Sequence, residues 1–361
     1  MAALIVFLSH AALPDLIPGA FGVTVFFFLS GYLITTLLRR EHESTGRIAL
    51  GSFYLRRVYR ILPPMYIVLI LAVLLDLTGV FNSQMTLRGV LAQFAHMTNY
   101  FMIYFGQSEF APATSLMWSL AVEEHFYLLF PLALGLLYRH FKSRGIAGVL
   151  LAVCGLVLLW RMYLVFVSGY GHEYTYFATD TRVDSLLYGC ILGVWRNPAL
   201  DRSERTPGKR TWIALLAVSI GLLLFTFLYR SESFRESFRY SIQGIALFSL
   251  FFCAVRFHHW PIFAWLETRP MRAMGLISYT FYLVHIPCLE LLKRHFDLGV
   301  WQRTAFAFVL TVAVSTAMYY LVERRMAALR RRLHGRKKPV MSKADPTDGE
   351  QASEAAAAPH R

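Results

Sequence analysis

Apolar runs bounded by charges or turn residues recur along the whole chain, at Met1–Ala12, Phe21–Leu38, Ile61–Leu77, Trp118–Tyr138, Ile146–Val167, Thr181–Trp195, Trp212–Tyr229, Ile242–Val255, Met274–Leu292 and Thr304–Val322. Several are short, but together they predict about ten membrane spans. Backbone groups in hydrocarbon must find partners within their own segment, so the spans are helices and the fold class is an all-α, polytopic integral membrane protein. Between the third and fourth runs, Thr86–Tyr104 is apolar but carries Arg88, Gln93, His96 and Asn99. An eleventh span there would invert every later loop, so this segment is expected to be a helix lying on or dipping into the outer face.

Composition agrees. The 361 residues are 56% hydrophobic and 16% charged, with a mean hydropathy of +0.47, whereas soluble domains carry about 25% charged residues. The runs use nearly all the length, which argues against a sizeable soluble domain, a secreted enzyme or a repeat solenoid. The net charge of +14 would suggest nucleic acid in a soluble protein. Here its distribution matters more: of 36 Lys and Arg residues, 27 fall in Arg39–Arg60, Arg139–Arg144, Arg196–Arg210, Arg256–Arg272 and the tail from Arg324, and 7 in the alternate loops. That asymmetry predicts an even number of crossings with both termini cytoplasmic, and no nucleic-acid partner. From Arg324 the chain becomes a basic cytoplasmic tail, and Lys343–Arg361, rich in Ala, Glu, Asp, Ser and Pro, is expected to be disordered. Cys154, Cys190, Cys253 and Cys288 sit singly in separate runs, so neither a disulfide framework nor a metal site is indicated.

Ionisable residues inside spans are costly and face a bundle interior or an aqueous cavity by default. The predicted topology gathers most of them at one level. His10 lies at the outer end of the first span, Glu123 and Glu124 slightly deeper in the fourth, Arg161 in the outer half of the fifth, Arg182 and Asp184 at the outer end of the sixth, and His285 in the outer half of the ninth. For Arg161 and Asp184 taken alone, an ordinary buried ion pair is the leading reading. His10 fits either a histidine hydrogen-bonded at the interface or a general base oriented by one of the carboxylates at its depth. Ser119, Glu123 and Tyr127 follow at i, i+4 and i+8 and share one helix face; Ser278, Tyr282 and His285 form a second stripe. Gly31 lets another backbone approach closely, and Ser30 can bond across helices. Arg56, Arg57 and Arg60 before Pro63 and Pro64 read either as topology determinants or as a collar for phosphate groups.

These pieces together resemble membrane acyltransferase family 3, bacterial O-acetyltransferases acting on surface polysaccharides and related acceptors. The resemblance runs from about Ala2 to Val322 and rests on six stretches: His10 ending the first span; Phe-Phe-Phe-Leu-Ser-Gly-Tyr-Leu-Ile ending at Ile34; Arg56-Arg-Val-Tyr-Arg-Ile-Leu-Pro63; Trp118-Ser-Leu-Ala-Val-Glu-Glu-His-Phe-Tyr-Leu128; Arg182-Val-Asp-Ser-Leu-Leu-Tyr-Gly189; and Ile277-Ser-Tyr-Thr-Phe-Tyr-Leu-Val-His285. It implies a membrane acyltransferase domain over residues 1–323 in the inner (cytoplasmic) membrane, with the tail at 324–361. The enzyme would move an acetyl or short acyl group from cytoplasmic acetyl-CoA, a co-substrate and not a bound cofactor, to a hydroxyl of a surface glycan, lipid-linked sugar or hydrophobic metabolite.

On that resemblance His10 is the expected catalytic base, with Glu123 or Glu124 orienting it or relaying its proton. Arg56, Arg57 and Arg60 would hold the donor. Ser30, Trp118, Arg161, Arg182, Asp184, Tyr282 and His285 would bind or position substrate, Tyr282 and His285 on the acceptor side. The rival reading is a transporter or lipid flippase without covalent chemistry, which would favour two related half-sets of interrupted helices. Two departures from the family stand out: His125 replaces a more usual Gln, and the basic residue usual eleven positions before the histidine would precede Met1. With Pro14 and Asp15 soon after a run of only about 18 Å, this leads to the expectation that translation begins upstream or that this copy is truncated.

Overall fold

The computed structural model describes residues 1–12, 18–201 and 207–334, and no strand occurs among them. α1 (Ala2–Ala11), α2 (Gly19–Thr45) and α3 (Leu50–Leu77) open the chain, followed by two short helices, α4 (Leu87–Phe94) and α5 (Thr98–Phe105). α6 (Met117–His140), α7 (Ser143–Phe166), the short α8 (His172–Phe177) and α9 (Thr179–Val194) form the middle. α10 (Lys209–Leu228), α11 (Glu232–Ser237), α12 (Arg239–Arg256) and α13 (Pro261–Ala264), the last followed by a 3₁₀ turn at Trp265–Glu267, lead to α14 (Arg269–His295). α15 (Val300–Met318) continues through a π-helical turn at Tyr319–Glu323 into α16 (Arg324–His334).

Each of the ten predicted runs coincides with a helix, but length separates them. Among the described residues, seven helices are long and apolar enough to cross a membrane: α2, α3, α6, α7, α10, α14 and the continuous stretch Val300–Leu333. An eighth is counted if α12 and Pro261–Glu267, bent by 87° at their junction, are taken as one span. α1 and α9, with 10 and 16 residues, rise only about 15 and 24 Å against a hydrocarbon core of about 30 Å. α9 can be both short and charged because it is surrounded: it packs against α2, α7 and α12, and all its residues from Arg182 to Val194 except Val183 are buried. Lipid-facing surface lies elsewhere, as on α6, where Leu128, Leu129, Leu132 and Leu136 are exposed.

Contact between α2 and α9 is unusually close. A Cβ added at Gly31 would fall 2.0 Å from the Leu186 carbonyl oxygen, and one at Gly189 would fall 2.0 Å from that of Phe28. The two helices therefore meet backbone to backbone, as the small-residue rule for membrane helices requires.

The Thr86–Tyr104 segment differs from the single helix expected. It is two eight-residue helices broken at Ala95–Met97, where His96 takes a φ of 57°. At about 12 Å each, neither is long enough to cross. The tail begins as helix through α16, while Lys343–Arg361, like Pro14 and Asp15, lies outside the described residues.

Candidate active site

Phe7 sets one end of the site. Its ring lies 5.7 Å from both Phe281 and Phe308, and the Phe7–Phe281 contact is fully buried, fixing α1 against α14 and α15. Three residues after Phe7 comes His10 and four after Phe281 comes His285, so the same helix faces bring the two imidazoles together. His10 Nδ1 lies 3.1 Å from His285 Nε2, with the rings stacked at 22°. His285 Nδ1 is 2.7 Å from the Tyr282 carbonyl oxygen.

A carbonyl only accepts, so Nδ1 of His285 carries the proton and Nε2 of the neutral ring holds a lone pair. That lone pair accepts from Nδ1–H of His10, which leaves Nε2 of His10 unprotonated. His10 faces a cavity of about 320 Å³, which Ser9, Trp118, Tyr176, Tyr282 and Ile286 also line.

The α6 stripe is the second part. Ser119 Oγ and Tyr282 Oη are 2.7 Å apart at the cavity end. Four residues on, Glu123 accepts a 3.0 Å bond from the Tyr127 hydroxyl, and Ser30 of α2 in turn bonds Tyr127. Arg57 then lies over the Tyr127 ring, 5.3 Å from its centroid, and over Phe53. The predicted i, i+4, i+8 face is therefore a polar column of about 12 Å running from the histidine pair towards the arginines on α3. Among the described residues neither Glu123 nor Glu124 bonds His10; the orienting position expected of a carboxylate is taken by His285.

The arginines divide by role. Arg56 pairs with Glu41 at 3.1 Å, Arg57 turns inward with its Nε unpartnered, and Arg60 is exposed. Arg161 is fully buried and spends its donors on Asp184 at 2.7 Å, Ser241, and the carbonyls of Ser237 and Thr181. Arg161 and Asp184 thus tie α7, α9 and α12 together, the ion-pair alternative, and do not line the cavity. Arg182 is also fully buried, 3.9 Å from the Tyr240 centroid and within 6 Å of those of Tyr176, Phe27 and Trp118. It holds the back of Trp118 and Tyr176, two walls of the cavity, so its action on a ligand is indirect.

Sequence reading missed Ser9, Tyr176 and Ile286 as cavity residues. Tyr176 lies outside every predicted span, so no helical stripe pointed to it. Ser278, in the predicted α14 stripe, is half-buried and bonds its own helix at the Gly275 carbonyl.

A bundle of membrane helices enclosing a histidine-centred polar column is the class of protein these features define. The chain belongs to acyltransferase family 3: that family's model, described as an acyltransferase domain, matches residues 1–320. It is 31% identical over 313 residues to O-acetyltransferase OatA of Staphylococcus aureus strain NCTC 8325 / PS 47, and to the same degree to OatA of strain COL. The alignments cover 83% of this chain and 50% of OatA, so the chain spans about half the length of these curated relatives. No solved structure matches it.

Proposed function

We propose that this protein is a multi-pass membrane O-acyltransferase that moves an acetyl or other short acyl group from acyl-CoA to an acceptor hydroxyl. The observation that carries this reading is the His10–His285–Tyr282 carbonyl chain, which leaves a bare imidazole nitrogen in a chain of an acyltransferase family. In the proposed step, Nε2 of His10 takes the acceptor's hydroxyl proton as the oxygen bonds the acyl carbon. The carbon–sulfur bond of the thioester breaks, and the proton passes to the CoA thiolate. His285 acts as a positioning residue. Trp118 and Tyr282 shape the cavity.

On the donor side, Arg57 and Arg60 hold the CoA phosphates, and the pantetheine arm runs inward past Tyr127 and Glu123. Arg56, being paired with Glu41, has the smaller part. We assign ten crossings with both termini in the cytoplasm of a cell whose inner membrane holds the protein. In this topology α1 and α9 cross as short, bundle-supported helices, and the arginine collar faces the cytoplasm. OatA's name carries O-acetyl transfer for that protein, and the half of it matched here supports the same chemistry for this chain. Mass spectrometry of surface glycans from cells with and without the gene tests the proposal: an acetyl-sized loss on deletion supports it, and identical spectra contradict it.

A further inference from the structure

The histidine cavity contains a hydrogen-bond donor without a role in the step at His10. Six lining residues, Ser9, His10, Ser115, Trp118, Tyr176 and Tyr282, carry a nitrogen or oxygen in the side chain. His10 presents a bare nitrogen, which accepts. Tyr282 also has no hydrogen to give. Ser119 donates to the Leu116 carbonyl at 3.1 Å and lies 2.7 Å from the Tyr282 hydroxyl, which is 3.4 Å from the same carbonyl. Of the two hydroxyl hydrogens in that triangle, one goes to the carbonyl and one lies between the oxygens, so Tyr282 offers the cavity lone pairs. Ser9, Ser115 and Tyr176 can turn their hydrogens either way, whereas the indole N–H of Trp118 only donates.

Trp118 Nε1 makes no hydrogen bond among the described residues. The residue is only 6% exposed, yet this nitrogen is not walled in, unlike the buried and unpartnered Trp212 Nε1; since Trp118 lines the cavity, its free donor opens there. The ring cannot turn away. Phe27 and Phe177 meet it edge-on at 86° and 77°, and Tyr176 tilts against it with centroids 5.0 Å apart. Behind it, Arg182 lies 5.9 Å from its centroid. That guanidinium forms no ion pair among the described residues: it bonds the Tyr176 carbonyl at 3.2 Å and Thr24 at 3.3 Å, and its Nε has no partner. Arg161, Arg182 and Arg239 all lie within 5.5 Å of the Tyr240 centroid, but the carboxylates that pair with them are two, Asp184 and Glu236. One buried positive charge therefore remains beside the cavity wall. An unpaired buried cation and an unused donor are each costly, and both suit a site where negative charge arises only during the reaction.

We propose that Trp118 is a catalytic residue whose indole N–H donates to the acyl carbonyl oxygen as that oxygen becomes an oxyanion. This deepens the transfer reading above and rests on it. As the acceptor oxygen bonds the acyl carbon and its proton passes to His10 Nε2, the carbonyl π pair moves onto oxygen, where Trp118 meets it with the Arg182 charge behind. When the pair returns, the carbon–sulfur bond breaks and the thiolate takes the proton from His10. Because the hydrogen bond strengthens only as the charge forms, it lowers the barrier more than it tightens binding of the donor.

The test compares wild type, Trp118→Phe and protein carrying benzothienylalanine in place of Trp118. The last keeps the bicyclic ring and exchanges N–H for sulfur, so it separates the donor from the packing. Each is assayed in permeabilised native membranes with acetyl-CoA labelled in its acetyl group, reading the initial rate of alkali-labile ester per mole of protein over a series of acetyl-CoA concentrations. Both variants are expected to lower kcat by about 10²- to 10³-fold, with the KM for acetyl-CoA within about threefold of wild type and the thermal midpoint of the benzothienyl protein unchanged. A benzothienyl protein that keeps kcat within about twofold of wild type, or that raises KM about tenfold at constant kcat, overturns the donor role while leaving acyl transfer intact. Wild-type membranes that form no ester overturn the transfer reading, and the donor role with it.

Discussion

A histidine serves as a general base only if the nitrogen facing the substrate is free of its proton, so the partner on its other nitrogen decides its chemistry. In this protein that partner is another histidine, itself fixed by a backbone carbonyl. His285→Ala is therefore expected to lower transfer by more than about tenfold while protein yield holds, since a misassigned tautomer has cost up to about 10⁴-fold in hydrolase triads. His285→Gln, whose amide oxygen can still accept from His10 Nδ1–H, should recover part of that loss; equal activity of the alanine and glutamine variants would argue against the relay. At the other end, Arg57→Ala should raise the KM for acyl-CoA roughly 10- to 150-fold and that for the acceptor far less, with Arg57→Lys only partly restoring it. Unchanged kinetics would make the collar a topology signal alone. His10 and the Ser119, Glu123, Tyr127 face were legible in the chain because helical spacing is local. The His10–His285 contact was not: it joins positions 275 apart, and chemical habit points a histidine to a carboxylate.

Helices succeed or fail here by what surrounds them. Each apolar run marked a helix, yet α9 could not be recognised as a bundle-centre element, because burial by neighbours, not its own hydropathy, lets it carry Arg182 and Asp184. Glycine did signal the crossing that supports it. Gly189→Val pushes a side chain into the Phe28 carbonyl, where neither backbone can yield, and should destabilise the protein by about 1–3 kcal/mol, seen as a lower thermal midpoint in detergent. Gly221→Val on α10, where an added Cβ meets nothing within 4 Å, should leave the midpoint nearly unchanged. Similar midpoints for the two variants would mean that the α2–α9 contact is looser than described. The break at His96 was not legible, since nothing in Thr86–Tyr104 marks a left-handed residue; the clamp that Gln93 makes with Ala111 and Thr114 appears only once the later loop is in place.

For the whole molecule, the arrangement places an arginine collar near the start of α3 and the histidine pair towards the opposite end of the bundle, with a polar column between. The orientation proposed above rests on the basic residues. A membrane-impermeant thiol reagent applied to intact cells should label Ser233→Cys, beside α12, and spare Ser44→Cys, beside the collar; the reverse pattern would invert the direction of transfer. The central claim, that acyl-CoA bound at the collar side donates across the bundle through His10, is tested most directly by labelled acetyl transfer in sealed vesicles of known sidedness. Inverted vesicles, which present the collar to the medium, should convert added acetyl-CoA into alkali-labile ester, right-side-out vesicles should not, and His10→Ala should lower the ester by about 10²- to 10⁴-fold at equal protein. Undiminished ester from His10→Ala vesicles, or equal ester from both orientations of sealed wild-type vesicles, would contradict it.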